Sequence, residues 1–239
     1  VRNVRPRLNG PLRGSLLSCA DGRVSAVSPQ IALDVSLSEN LRSWSGKADA
    51  SIAKLVAMAV AADRLGVKAA FDGTADRTAI DVDAAIAGLH GEAFAARGVT
   101  LTAKGIVGKQ APTIEGSIRF SQASGSVALR QSIVAGAEEW SGNPIGPLAS
   151  RAAKALAAML ADTSGETAFA LKGEGADARI DLLAPKLTSA SGGRFIGSDG
   201  SRIAYLFGAP KPAVTANGSW TFGGGDLPSG SLTLDRSAD

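Results

Sequence analysis

The side chains able to do chemistry are few in this chain, and their spacing works against it. His90 is the single histidine in 239 residues, which removes histidine-based metal clusters and leaves no partner set for a nucleophilic triad. Its setting, Gly88-Leu89-His90-Gly91, has turn character, so it is expected as a solvated loop side chain. Ser51-Ile52-Ala53-Lys54 has the serine-x-x-lysine spacing of penicillin-recognising enzymes. Those enzymes need the motif on a helix, with companion motifs that this chain lacks, so the match is chance. Asp72, Asp76, Asp81 and Asp83 gather acidic charge without the spacing of a calcium loop. Gly223-Gly224-Gly225-Asp226 is a flexible turn without the repeated nonapeptide of calcium-binding β-rolls. Cys19 stands alone, so no internal disulfide forms. Nucleophile-elbow, Walker and dinucleotide-binding motifs are all missing from the sequence. What remains is a non-enzymatic protein with no cofactor and no metal.

Composition points to strands. Glycine occurs 29 times and aromatics make up only 5%, a balance that suits long, lightly packed strands with many turns. The net charge of +3 comes from 25 basic and 22 acidic residues that are interspersed, so nucleic acid is not expected as a partner. No apolar run approaches the roughly 20 residues of a membrane-spanning helix. The chain opens in mid-pattern at Val1 and reads as an excised segment, with any leader or membrane anchor outside it.

Three parts follow from hydrophobic periodicity. Residues 1–142 form a first strand array, preceded by a basic, irregular stretch to residue 28 that carries Arg2, Arg5, Arg7, Arg13 and Arg23. This stretch is a solvated edge or a contact for phosphate or anionic headgroups, with Leu8, Leu12, Leu16 and Leu17 packing it down. Alternation predicts strands at Ile31–Leu37, Gly46–Leu55, Arg64–Phe71, Thr78–Ile86, Gly98–Val107, Thr113–Ser121 and Ser126–Ile133. The short turns between them favour antiparallel pairing. Residues 143–163 hold one amphipathic helix, with Leu148, Ala152, Ala155, Leu156 and Met159 on one stripe and Pro147 in its first turn. Residues 164–239 resume the strands, at Thr167–Lys172, Arg179–Leu183, Leu187–Ser191, Arg194–Ile196, Arg202–Phe207, Val214–Phe222 and Ser231–Asp235. Trp44, Trp140 and Trp220 fall near strand ends as structural anchors.

The alternation separates a dry face from a wet one. Ile31, Leu33, Val35, Leu37, Val67, Phe71, Ile80, Val82, Ile86, Val99, Leu101, Ile114, Ile118, Phe120, Val127 and Leu129 share the first; Asp34, Lys68, Asp81, Asp83, Lys104, Glu115 and Arg119 lie on the second. A dry face must be covered by a sheet, a helix or a ligand. One helix of about 15 residues, ~22 Å long, is too short to cover strands laid side by side ~4.8 Å apart. Either the sheet closes on itself as an ordinary β core, or an apolar guest fills it. The medium-sized aliphatic lining, poor in aromatic volume, favours the guest. Leu148, Leu156 and Met159 of the helix would then join the lining.

Segments such as AIDVDAAIAGL and GVTLTAKGIV, then SGNPIGPLASRAAKALAAMLAD, then TAFALKGEGADARIDL, resemble the AsmA-like proteins of Gram-negative bacteria. Within them the order of elements is most similar to the YdbH family of intermembrane phospholipid transport proteins. The resemblance implies a mainly β fold, a long curved antiparallel sheet forming a taco-like groove in the periplasm, along which phospholipid acyl chains move. It also implies an inner-membrane anchor outside this segment and an outer-membrane partner. The alternative from another class is a structural or interaction β-domain aiding outer-membrane or cell-surface assembly.

Overall fold

A computed structural model describes residues 6–19, 24–57, 60–139, 142–144, 146–173, 178–206 and 213–234. The chain is mainly β, and its strands join one antiparallel sheet. The first strands are β1 (Arg7–Arg13), β2 (Leu16–Cys19), β3 (Val24–Val27) and β4 (Gln30–Leu37). Long strands follow: β5 (Ser43–Ala57), β6 (Val60–Thr74), β7 (Arg77–Gly91), β8 (Phe94–Gly108) and β9 (Thr113–Gly125). Helices α1 (Val127–Glu138) and α2 (Gly146–Met159) lead to β10 (Thr163–Lys172) and β11 (Arg179–Ser189). The chain closes with β12 (Arg194–Gly197), β13 (Arg202–Leu206), β14 (Ala213–Gly224) and β15 (Leu227–Leu234). β3 with β4 and β12 with β13 lie end to end, each pair making one rung beside a longer strand, and β1 with β2 make a further rung beside β4 and β3. The two helices interrupt the chain but not the sheet, because β9 pairs directly with β10.

Several local expectations are corrected. Within the basic stretch before residue 28, residues 6–19 and 24–27 are not irregular: β1 pairs with β4 and β3 pairs with β5, so long-range partners supply the order that their own sequence lacks, while Arg2, Arg5 and Arg23 lie outside the described residues. Ser126–Ile133 is not a strand but the start of α1, a second helix where one was expected. Ser126 caps it by accepting from the Leu129 amide at 3.2 Å. The Val127/Leu129 alternation is too short to outweigh that cap. Val127 and Leu129 therefore leave the dry face of the sheet. His90 lies inside β7 rather than in a turn, and Arg179–Leu183 and Leu187–Ser191 are parts of one strand, β11. Met159 ends α2, where the Thr163 hydroxyl donates to its carbonyl, and Thr163 already begins β10. Trp140 lies outside the described residues.

One row of residues shapes the sheet. From β5 to β9, pairing keeps the same register on both sides of Ala53, Arg64, Ala87, Gly98 and Ser121, yet those residues themselves are unpaired. Positive φ values recur here on alternate rungs, at Ser28 (50°), Arg64 (49°) and Gly98 (56°). A left-handed residue kinks a strand, and because each partner strand also skips a residue here, the alternation reverses while the register is kept. Accordingly Ala53-Lys54, Arg97-Gly98 and Ser121-Gln122 are exposed in succession, and the apolar phase resumes three residues away. Leu55, Ala62, Leu89, Ala96 and Ala123 thus take up the dry face that Ile52, Leu65, Ile86, Val99 and Phe120 leave. We call this row the crease.

Candidate functional site

Cross-strand pairing places the expected dry-face residues on one continuous surface. Leu33 pairs with Ala48, Ala48 with Ala69, Ala69 with Val82, Val82 with Ala103 and Ala103 with Gly116, and the chain of neighbours ends on Phe169 and Leu182. Parallel rows carry Val35–Gly46–Phe71–Ile80–Gly105–Ile114–Leu171 and Ile31–Ala50–Val67–Ala84–Leu101–Ile118. Leu37, Ile86, Val99 and Phe120 lie on the same face, nearer its margins. On β1, Leu8 and Leu12 pair with Val35 and Ile31, so the stripe runs out to the edge of the sheet.

Large side chains on this face sit over small ones. A Cβ on Gly46 would meet the Phe71 ring, and one on Gly116 would meet the Phe169 ring.

Burial decides what covers the stripe. A closed core would bury its Ile, Leu and Val residues almost completely. Here Val99 is buried, but Ile31, Leu33, Val35, Leu37, Val67, Phe71, Ile80, Val82, Ile86, Leu101, Ile114, Ile118 and Phe120 stay half-buried. The buried apolar residues are mostly alanines, among them Ala26, Ala62, Ala96, Ala103 and Ala204. The accessible surface is 15264 Å², against about 9,900 Å² for a compact protein of this mass. The aliphatic face is therefore accessible along its length.

Of the helical candidates, Met159 is buried at 3% exposure, whereas Leu156 keeps 36% of its surface in solvent. Ala153, Ala155 and Ala157 are buried instead, as α2 packs against α1 and approaches β15. The Leu148 side chain lies outside the described residues. Val127, at 60% exposure, and Leu129 stand on α1, away from the stripe.

The opposite face is a ladder of compensating charges. Arg7 grips Asp34 through two bonds of 2.8 and 2.6 Å, Lys104 meets Asp81 at 3.0 Å, and Arg119 meets Glu166 at 2.9 Å. Hydrogen bonding from Arg7 holds the Asp34 carboxyl below its usual range, and the bond to Asp81 holds the Lys104 ammonium above its own. Opposite charges on adjacent strands fix register and leave no single-sign field. Of the four clustered aspartates, two are in ion pairs: Asp76 with Lys109 and Asp81 with Lys104. Among the described residues no cluster able to hold a metal is present. His90 Nε2 lies 3.0 Å from Asp63 Oδ2, both well exposed, with no nucleophile in the pair. Ser51 and Lys54 stand on a strand, unlike the helical motif of the penicillin-recognising enzymes.

A shallow, open depression of 640 Å³ is lined by Asp72, Asp81, Lys104 and Glu115 together with Phe71, Ile80 and Ile106. A second, of 420 Å³, lies between Thr100, Ser117, Glu166 and Asp199. Neither brings together groups of complementary chemical role. The long half-buried aliphatic stripe is the feature that the fold builds most consistently. No protein-family model, curated protein or solved structure matches this chain.

Proposed function

We propose that this chain is a segment of a non-enzymatic conduit for lipids, with phospholipid acyl chains lying on the aliphatic stripe while headgroups stay in water. The supporting observation is the stripe itself: continuous from β1 to β11 by cross-strand pairing, yet left half-buried. Water on such a face costs about 25 cal/mol for every Å² of apolar surface, and a flexible acyl chain relieves that cost without a specific pocket. A lining of Ile, Val, Leu and Ala offers near-equivalent sites, which permit sliding. The resemblance to the AsmA-like YdbH family supplies the setting of this reading: the periplasm, between an inner-membrane anchor and an outer-membrane partner.

A photo-crosslinking residue at Val82 is expected to capture phospholipid, and one at Asp81, its neighbour on the charged face, is not. Mass spectrometry of the purified chain should find co-purifying phospholipid. Equal labelling at both positions, together with a lipid-free protein, would leave a β-domain that serves assembly through protein contacts.

A further inference from the structure

We propose that α1 and α2 form a lid over a covered seat for a lipid acyl chain, at the aromatic end of the dry face. This rests on the acyl-chain reading of the stripe and adds a site to it. The row of the stripe that borders the crease does not stop at β9. Phe120 pairs with Gly165, Gly165 with Leu187, Leu187 with Phe195 and Phe195 with Phe222. Trp220, two residues from Phe222 and on the same face, is 2% exposed. Aromatics are only 5% of the chain, yet Phe195, Phe222 and Trp220 gather here.

The helices lie on this face. A Cβ at Gly125 would meet the Leu129 side chain at 3.2 Å, and one at Gly193 would meet that of Met159 at 3.8 Å. Gly193, whose carbonyl accepts from the Ser189 amide, is in phase with Phe195, as Gly125 is with Ala123. α2 ends beside β10 and reaches β15. Its 14 residues are ~21 Å long, close to the ~19 Å of the four strand spacings from β10 to β15. Thr163, Ser189 and Gly193 are buried here, whereas the aliphatic stripe of β4 to β7 is half-buried.

The attachment of this cover suits lifting. β9 pairs directly with β10, so the hairpin can move without breaking the sheet. Its grip is slight: α1 buries no residue, and among the described side chains α2 buries Ala153, Ala155, Ala157 and Met159, of which only Met159 is large. The Leu160 carbonyl accepts from the Gly125 amide and the Met159 carbonyl from the Thr163 hydroxyl, which places the hinge at the β10 end.

Photo-crosslinking of the 239-residue chain with phosphatidylcholine vesicles tests this. A crosslinking residue replaces Val82 in the open stripe or, separately, Phe195 in the seat. Met159→Cys with Gly193→Cys, in a Cys19→Ser background, tethers the lid across a contact close enough for a disulfide. With the tether oxidised, phospholipid is expected at Val82 only; with it reduced, at both positions. Ala155→Asp, without a tether, sets a carboxylate among the buried residues of α2 and should raise labelling at Phe195 while leaving Val82 unchanged. Equal labelling of Phe195 in the oxidised and reduced states overturns the lid, and so does an unlabelled Phe195 in both states while Val82 is labelled. Ala155→Asp without effect at Phe195, or with labelling lost at both positions, also overturns it and makes α2 a fixed part of the fold. Labelling at Phe195 alone overturns the conduit reading and spares the seat; labelling at neither position overturns both.

Discussion

At the scale of single residues, backbone conformation and local ion pairs make separable predictions. Gly98 has a left-handed φ of 56°, and a Cβ there would run into the Ser121 hydroxyl, which itself donates to the Arg97 carbonyl at 3.0 Å. Gly98→Ala should therefore destabilise the chain by about 1–2 kcal/mol from the left-handed penalty alone. Gly66→Ala is the control: its Cβ meets nothing closer than 4.0 Å, and it should be neutral or stabilise by roughly 0.5–1 kcal/mol through the strand's lower entropy loss. Urea denaturation of both variants checks the contrast, and equal midpoints would remove the crease from Gly98. The Arg7–Asp34 pair adds a pH dependence. Asp34 is held below the ordinary carboxylate value, so its contribution is complete above about pH 4 and fades as pH falls through the lowered folded value. Protection factors of the β1 amides should fall below that pH, while Asp34→Asn should lower them at neutral pH as well.

Among elements, α1 and α2 show where sequence patterns are legible and where they are not. Strands β4 to β9 were readable because each has a wet and a dry face, and period-2 alternation survives wherever one face meets water. α2 was readable from its stripe, although Met159 and the alanines, rather than Leu156, take its most buried positions. α1 was missed because Val127, Leu129 and Ile133 fit a short alternating window as well as a helix, and the deciding feature is the Ser126 cap. Ser126→Ala should cost about 1 kcal/mol and fray the first turn, visible as faster exchange of the Leu129 amide. The crease was hidden for a different reason. Its phase reversal lies in Ile52-to-Leu55 and Ile86-to-Leu89 spacings of three, which a single strand presents as noise and only registered neighbours reveal. β1 to β3 were hidden because their order comes from partners far along the chain. For α2, Met159→Ala is expected to cost 2–5 kcal/mol as a buried large-to-small change. Leu156→Asp should cost less than a fully buried carboxylate would, because that side chain is already partly in water. Thermal unfolding of the two variants ranks them, and the reverse order would place Leu156 at the centre of the packed face.

For the molecule as a whole, the test of a conduit is whether interrupting the stripe stops transfer while the sheet survives. Register selects the positions: Val82 stands directly opposite Ala103 on neighbouring strands of the aliphatic face, and Leu101 is the diagonal neighbour of Val82. Val82→Lys with Leu101→Glu places opposite charges at diagonal, half-buried positions within reach of each other, so the pair satisfies itself on a surface already open to water, whereas Ala103 is 6% exposed and has no room for a larger side chain. Folding should change little, because the variant leaves no unpaired charge in a closed core. An acyl chain sliding past must instead strip water from that pair or lift away from the stripe. Either route costs several kcal/mol at that one layer, and each ~1.4 kcal/mol is a factor of ten in rate. Transfer of phospholipid between donor and acceptor vesicles should therefore fall by orders of magnitude, while circular dichroism and thermal midpoint stay near those of the parent chain. The equivalent pair on the charged face, Asp81→Lys with Lys104→Asp, exchanges two charges that already meet at 3.0 Å and should leave transfer unchanged. Normal transfer with the charged pair in place on the stripe would show that lipid does not travel along it.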